Sequence, residues 1–315
     1  RNTFGNGDHL MAGYIGSKAV SVNTTSATIS DDLAVGGDII TTSAGASNFR
    51  AGVNAGNSIA SGGNYNVAVG DEAGTALTTG DDSVFVGYAA GDAISTGTQN
   101  VAIGSNALGT GVTATNNVAV GRASMAATLG SENVAVGVNT LAANQGGSHS
   151  VAIGSAALTA QNPASGNVDF YNVAVGSSAG TAITTGTKNT LIGGLAGDAL
   201  NTGGANVAVG YAALSTEDGN GNNVAVGYLA LTTQNTGADG HNTGVGHKAG
   251  RNITTGTQNT FVGALVGDAS TEGVHNVAMG YAALTTDTKG NYSVAIGAGA
   301  LATQNFTTAT SAYNV

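Results

Sequence analysis

The residues with the most chemical potential are a few carboxylates, five histidines and nine tyrosines scattered through a chain of 315 residues. Asp71-Glu72, Asp81-Asp82 and Glu217-Asp218 place oxygen ligands side by side, as a calcium ion requires. The nonapeptide GGxGxDxUx that arms calcium-binding β-rolls is missing, and Asp92, Asp198 and Asp268 recur in one context, "GDA", as turn residues. His241 and His275 each precede the same short phrase, but two repeats apart. That is ~10 Å in a stacked β structure, too far to share a metal within one chain. Paired carboxylates on a rigid face can also cleave glycosides. Here no groove-sized insertion accompanies them, and there is no Trp to hold a sugar. Serines and threonines abound in turns without a His–acid partner at a constant offset. The glycines never take the strand–loop–helix form with Lys-Ser/Thr that cradles a phosphate. The expectation is no enzyme, no catalytic or metal residues and no cofactor.

The tyrosines are more promising. Tyr88, Tyr211, Tyr228 and Tyr281 each follow a glycine that closes a repeated phrase, so they fall on one edge of whatever the repeats build. Amphipathic rings on an exposed edge suit contact with a glycan or a protein receptor. Composition narrows the partners further. Eight Lys and Arg against 18 Asp and Glu give a net charge of −10, with no basic cluster to neutralise nucleic-acid phosphates. No run of ~18 apolar residues is present to insert in a membrane. Charged residues are only 8% of the chain and glycines number 52, while 41% is apolar and evenly spaced, which argues for order.

The elements that position these residues are read from the period. "NVAVG" at 66–70 returns as "SVFVG" at 83–87, "NVAIG" at 100–104 and "NVAVG" at 117–121, and on to "SVAIG" at 293–297. The closing glycines, Gly70, Gly87, Gly104, Gly121 and onward to Gly297, are mostly 17 residues apart. Regular self-similarity at this period signals a solenoid. The alternation within each phrase is that of a strand. With a second short apolar element and two turns per coil, the sequence predicts an all-β, narrow parallel β-solenoid over 48–315. A separate β segment, 1–47, enters it.

Valines at the second and fourth positions, such as Val67 and Val69, are expected to stack inward. The closing glycine suits a corner of positive φ or close approach, and the leading asparagines suit an amide ladder between coils. Ala68, Phe85, Ala102, Leu191, Ala208, Phe261 and Ala295, at the middle position, are then expected to face a second chain. A four-coil super-period is also visible. Gly180, Gly197, Leu214 and Leu231 are followed by Gly250, Gly267, Leu284 and Leu301, and the bulky residues Phe85, Leu191 and Phe261 recur within it. Long turns at 159–172, 232–242 and 302–314 are expected to project from the rod. "YNV" at 313–315 repeats the start of a phrase, so the chain is expected to be part of a longer one.

The "NVAIG/SVAIG" phrase, followed by small residues and a polar turn, resembles the head repeats of YadA-like trimeric autotransporter adhesins. "NVAVGYxAL", with "DDLAVGGDI" upstream, is similar to repeats in long phage tail fibres. The resemblance covers roughly 48–315 and departs from the adhesin heads in its period, super-period and longer turns. It implies a left-handed β-roll-like coil and a homotrimeric extracellular fibre on a virion or cell surface, joined to adjoining fibre segments. It also implies a role in positioning or mediating attachment to a host receptor. A bacterial surface adhesin binding host, matrix or neighbouring cells is the alternative.

Overall fold

A computed structural model describes residues 45–163 and 166–315. The separate β segment expected at 1–47 falls almost wholly outside the described residues. From Phe49–Ala51 to Val294–Ile296, fifteen three-residue strands form one parallel sheet, each paired with the strand of the next coil. The register is residue on residue. Val207, Ala208 and Val209 lie over Val224, Ala225 and Val226, for example. The chain is therefore an all-β parallel β-solenoid with one coil per phrase. At ~4.8 Å per strand, the stack of coils is about 67 Å long.

Most coils form only one strand, where two were expected. After each closing glycine the backbone instead enters the left-handed region twice, two and four residues on. Leu229 and Leu231 have φ of 54° and 49°. That conformation is unfavourable for residues with a Cβ. Hydrogen bonds to both neighbouring coils offset it: Leu229 N–H donates to the Tyr211 carbonyl at 3.1 Å and Leu231 N–H to the Ala249 carbonyl at 3.0 Å. The closing glycine itself cannot be replaced cheaply. Gly210 has φ of 134°, and a Cβ there would lie 2.4 Å from the carbonyl oxygen of Gly227 in the next coil.

The interior is the reverse of the one expected. Ala68, Phe85, Ala102, Leu191, Ala208, Phe261 and Ala295 are all buried within the chain's own core, so none of them faces a second chain. The valines on either side of them are partly exposed, with Val67 and Val69 flanking buried Ala68. The physical reason is parity. The leading Asn and the middle Ala are two residues apart and share one side of the strand, and the Asn side belongs inside.

Stacked asparagines line that interior. Asn189 Oδ1 accepts the backbone N–H of Asn206 at 3.0 Å, and its Nδ2 donates to the Gly203 carbonyl at 2.9 Å. The same pattern recurs from Asn259 to Asn276. The left-handed residue is the one before the asparagine, such as Lys188 at φ 62°, and not the asparagine itself. Asn189→Ala should leave a buried N–H and a buried carbonyl unpaired and cost roughly 2–4 kcal/mol. Urea unfolding of the variant would measure this; an unchanged midpoint would mean that the ladder is dispensable.

The super-period follows from volume exchange in the core. Phe85 lies against Gly74 and Gly91, Leu191 against Gly180 and Gly197, and Phe261 against Gly250 and Gly267. Where neither the coil's own strand nor the next one carries such a bulky residue, the position of those glycines is filled by Leu or Met, as in Leu108, Met125, Leu141 and Leu158, all buried. Ala68 and Ala174 keep Gly74 and Gly180 because Phe85 and Leu191 of the next coil take the space. Three residues further on, the partner changes as well. Glycine coils bury Leu77, Ile94, Ile183, Leu200 and Ile253 there, with Ser270 after Gly267 the exception, whereas leucine coils bury polar groups such as Asn144, Gln161, Glu217 and Gln234. Asn144 bonds the backbone of Gly147, Glu217 pairs with Gln234, and Gln161 and Gln234 pair with the ladder. Glu217 accepts from Asn220 Nδ2 at 2.7 Å and Gln234 Nε2 at 2.9 Å, and Gln234 Oε1 accepts from Asn242 Nδ2 at 3.1 Å.

Two of the three long turns add short strands. Val168–Asp169 pairs with Gly147–Ser148, and Thr310–Ser311 pairs with Gly290–Asn291. The turn at 232–242 is tied down through Asp239, which accepts from Gly221 N–H at 3.0 Å and Asn222 Nδ2 at 2.9 Å. The long turns thus fold back along the rod.

Candidate functional site: the valine face and its aromatic rims

The outward face of the sheet carries two columns of side chains, the first and third residues of every strand. From Val67 to Ile296 every position is Val, Ile or Met except Thr190, Thr243 and Thr260. Exposure runs from partial to 45% at Met279 and 68% at Ile296. Two columns about 10 Å across and about 67 Å long cover roughly 700 Å². Monomeric proteins rarely leave so large a contiguous apolar strip in water. The strip is close to the ~800 Å² that each partner contributes to a standard protein–protein interface. The sequence reading missed this face. The available signal was that, from Val67 to Ile296, polar replacements (Thr190, Thr243, Thr260) occur only in the valine columns and not at the alanine position.

Two rims flank the strip. One holds the residue after each closing glycine, including Tyr88, Tyr211, Tyr228 and Tyr281, which are exposed by 56, 51, 47 and 62%. The shared edge expected for these residues is where they lie along the coils. Tyr211 and Tyr228 stack with ring centroids 5.9 Å apart, and Tyr228 stacks on His247 at 5.5 Å. Tyr88 and Tyr281 have no stacked ring partner. At the same offset their coil neighbours are Asp71 and Ser105 for the first, Ala264 and Ala298 for the second. Stacking along the rod covers the faces of Tyr228 that a sugar ring would use and leaves the edge free. The opposite rim holds the left-handed residue before each leading asparagine. There His275, Tyr292 and Tyr313 stack at 4.8 and 5.1 Å, and His149 stacks on Tyr171 at 5.0 Å.

Charges on the coils serve local pairing. His149 bridges Glu132 and Asp169, each at 3.0 Å, and clips the first long turn to the coil below it. Arg251 pairs with Asp268 one coil on, at 3.2 Å, and Lys289 with Glu272 at 2.7 Å. Of the recurrent "GDA" aspartates, Asp268 has this cation, while Asp198 Oδ1 is buried without a hydrogen-bond partner. Burial pushes the Asp198 carboxyl above its ordinary value, and Asp92 likewise, with a smaller upward push from the charge of Glu72. A raised carboxyl favours the protonated folded form, so the penalty on folding is absent at low pH and grows as pH rises past the ordinary carboxylate value. Asp198→Asn should therefore raise stability at pH 7 by under ~1 kcal/mol, a gain limited by solvent screening, and leave it unchanged near pH 3. Melting curves at the two pH values test this; a loss at pH 7 would contradict it.

Among the described residues, no group of three or more His, Asp and Glu stands close enough to hold a metal ion, and no helix is long and apolar enough to cross a membrane. Comparison of the chain with models of known protein families, with curated proteins and with solved structures finds no match. What the arrangement offers is a long apolar face with aromatic rims, on a scaffold in which most buried asparagines bond from coil to coil.

Proposed function

We propose that this chain is a structural segment of a long extracellular fibre, in which copies of the chain associate through the Val/Ile face. The observation that carries the reading is that face: an apolar strip, broken only by Thr190, Thr243 and Thr260, that runs along the coil stack from Val67 to Ile296. Three copies around a common axis, the number implied by the resemblance to trimeric adhesin heads and tail fibres, would each bury the strip against the other two. The stacked coils, with backbone and amide ladders running along them, give stiffness along the axis without a metal. A fibre of this kind holds a tip or receptor-binding element away from the body that carries it, a virion in the first instance. Adhesion by the rod itself, on a bacterial surface, is the second reading. It is favoured by the exposed tyrosines Tyr88, Tyr211, Tyr228 and Tyr281, which would meet a glycan or protein receptor.

Immunogold labelling with an antibody against the turn at 159–172 tests the role on the particle or cell that carries the chain. Label in register along thin projecting fibres is the expected result. Label spread over a surface with no fibre would overturn it. The two readings separate by binding to immobilised cell-surface glycans and proteins: a Tyr211→Ala/Tyr228→Ala variant loses capture only if the rod itself adheres.

A further inference from the structure

We propose that Tyr211–Tyr228 and Tyr292–Tyr313 are sites of oxidative cross-linking that staple adjacent coils of one chain by a dityrosine bond. The chain has no Cys and no Trp. A disulfide staple is therefore impossible, and no thiol or indole competes for a one-electron oxidant. Tyrosine is then the principal target, and eight of the nine tyrosines lie in the coils described here.

These tyrosines are not equivalent. Tyr211 and Tyr228 stand on successive coils with centroids 5.9 Å apart and planes at 16°, half-exposed to a dissolved oxidant. Tyr292 and Tyr313 stand at 5.1 Å and 13°, exposed by 40 and 70%. The fixed spacing of coils keeps each pair together, so that coupling of two phenoxyl radicals is an intramolecular event between positioned partners. Tyr88 and Tyr281 are as exposed but have no ring partner at the matching position of the coils above and below. They serve as internal controls.

The oxidant is a peroxide acting through a haem peroxidase. Each phenol loses one electron and one proton. The two radicals join through ring carbons ortho to the hydroxyls, and the hydrogens on those carbons return to the oxygens as the rings rearomatise. Peroxide takes up the two electrons and two protons and leaves as two waters. The product is shorter by two hydrogens and spans two coils. It does not depend on association of chains.

The test is oxidation of the dilute full chain with hydrogen peroxide and a peroxidase, followed by dityrosine fluorescence and mapping of cross-linked peptides by mass. The expected result is intrachain 211–228 and 292–313 links in about tenfold excess over any link to Tyr88 or Tyr281, an effective-concentration advantage that disappears when oxidation is done in urea. Tyr228→Phe should remove the first link and leave the second, and Tyr281→Phe should change neither. Links spread evenly over the tyrosines, links mainly between chains, or no dityrosine at all would each overturn the proposal.

Discussion

Replacing Ala208 with Asp is expected to destabilise the coils around it by about 3–5 kcal/mol, the effect of an unpaired charge in a dry interior. Ala208 is fully buried, with Leu191 and Ala225 above and below it in the sheet. Its two sheet neighbours, Leu191 and Ala225, are apolar and supply no cation to pair the new carboxylate. Val226→Asp, on the other side of the neighbouring strand, points to the outward face and should leave the melting curve of the unassociated chain nearly unchanged. Because each coil contacts only its neighbours, the loss in Ala208→Asp should be local at first. Hydrogen exchange would find it at the strands around 190–192 and 224–226. Equal destabilisation by the two substitutions would mean that the two sides of the strand are not inside and outside as described.

The second large effect concerns the volume exchange behind the super-period. In Gly91→Leu the new Cβ would meet Phe85 ring carbons at 2.4 and 2.5 Å. The backbone is no obstacle, since Leu108 adopts φ of 53° at the same place one coil on, against 59° for Gly91. The ring is the obstacle, and overpacking of this severity should cost about 3 kcal/mol or more. Adding Phe85→Ala in the same chain gives the coil the Ala–Leu pairing that Ala102 and Leu108 already have, and most of the loss should return. Urea midpoints of the two single variants and the double variant complete the cycle. Additive losses, with no recovery in the double, would show that Phe85 and Gly91 do not share one space.

The architecture was legible because it rests on period, and a 17-residue recurrence with strand alternation leaves few folds open. The side of the strand that turns inward was not legible from residue type alone. Val67 is larger and more apolar than Ala68, and burial of the larger group is the ordinary expectation. It fails here because the coil is narrow. Its width is filled by one small strand residue, one alanine and either a leucine or a glycine with an apolar partner. The buried asparagine then fixes the parity. The bulky middle residues were misread for the same reason: Phe85, Leu191 and Phe261 mark the coils whose opposite wall has been reduced to glycine, not a surface made for contact. The left-handed turn residues had only a faint signal, in that Gly74 and Gly91 share a position with Leu108 and Leu141. The Tyr211–Tyr228 stack can be read from a 17-residue spacing. The Tyr292–Tyr313 stack is hidden by the long turn between them.

Reversal of the strand's faces rules out the alanine column as a contact between chains, and the proposed self-association is assigned instead to the Val/Ile face. The most direct test is the solution mass by light scattering over a range of concentrations, for the unaltered chain and for Val209→Asp/Val226→Asp. The expected mass of the unaltered chain is a multiple of 30.2 kDa, threefold for a trimer. The double variant should shift toward a single chain while keeping its β-strand content, and its melting temperature should fall only by what association contributes. A mass of 30.2 kDa for the unaltered chain at every concentration would contradict the assignment of the valine face to a second copy.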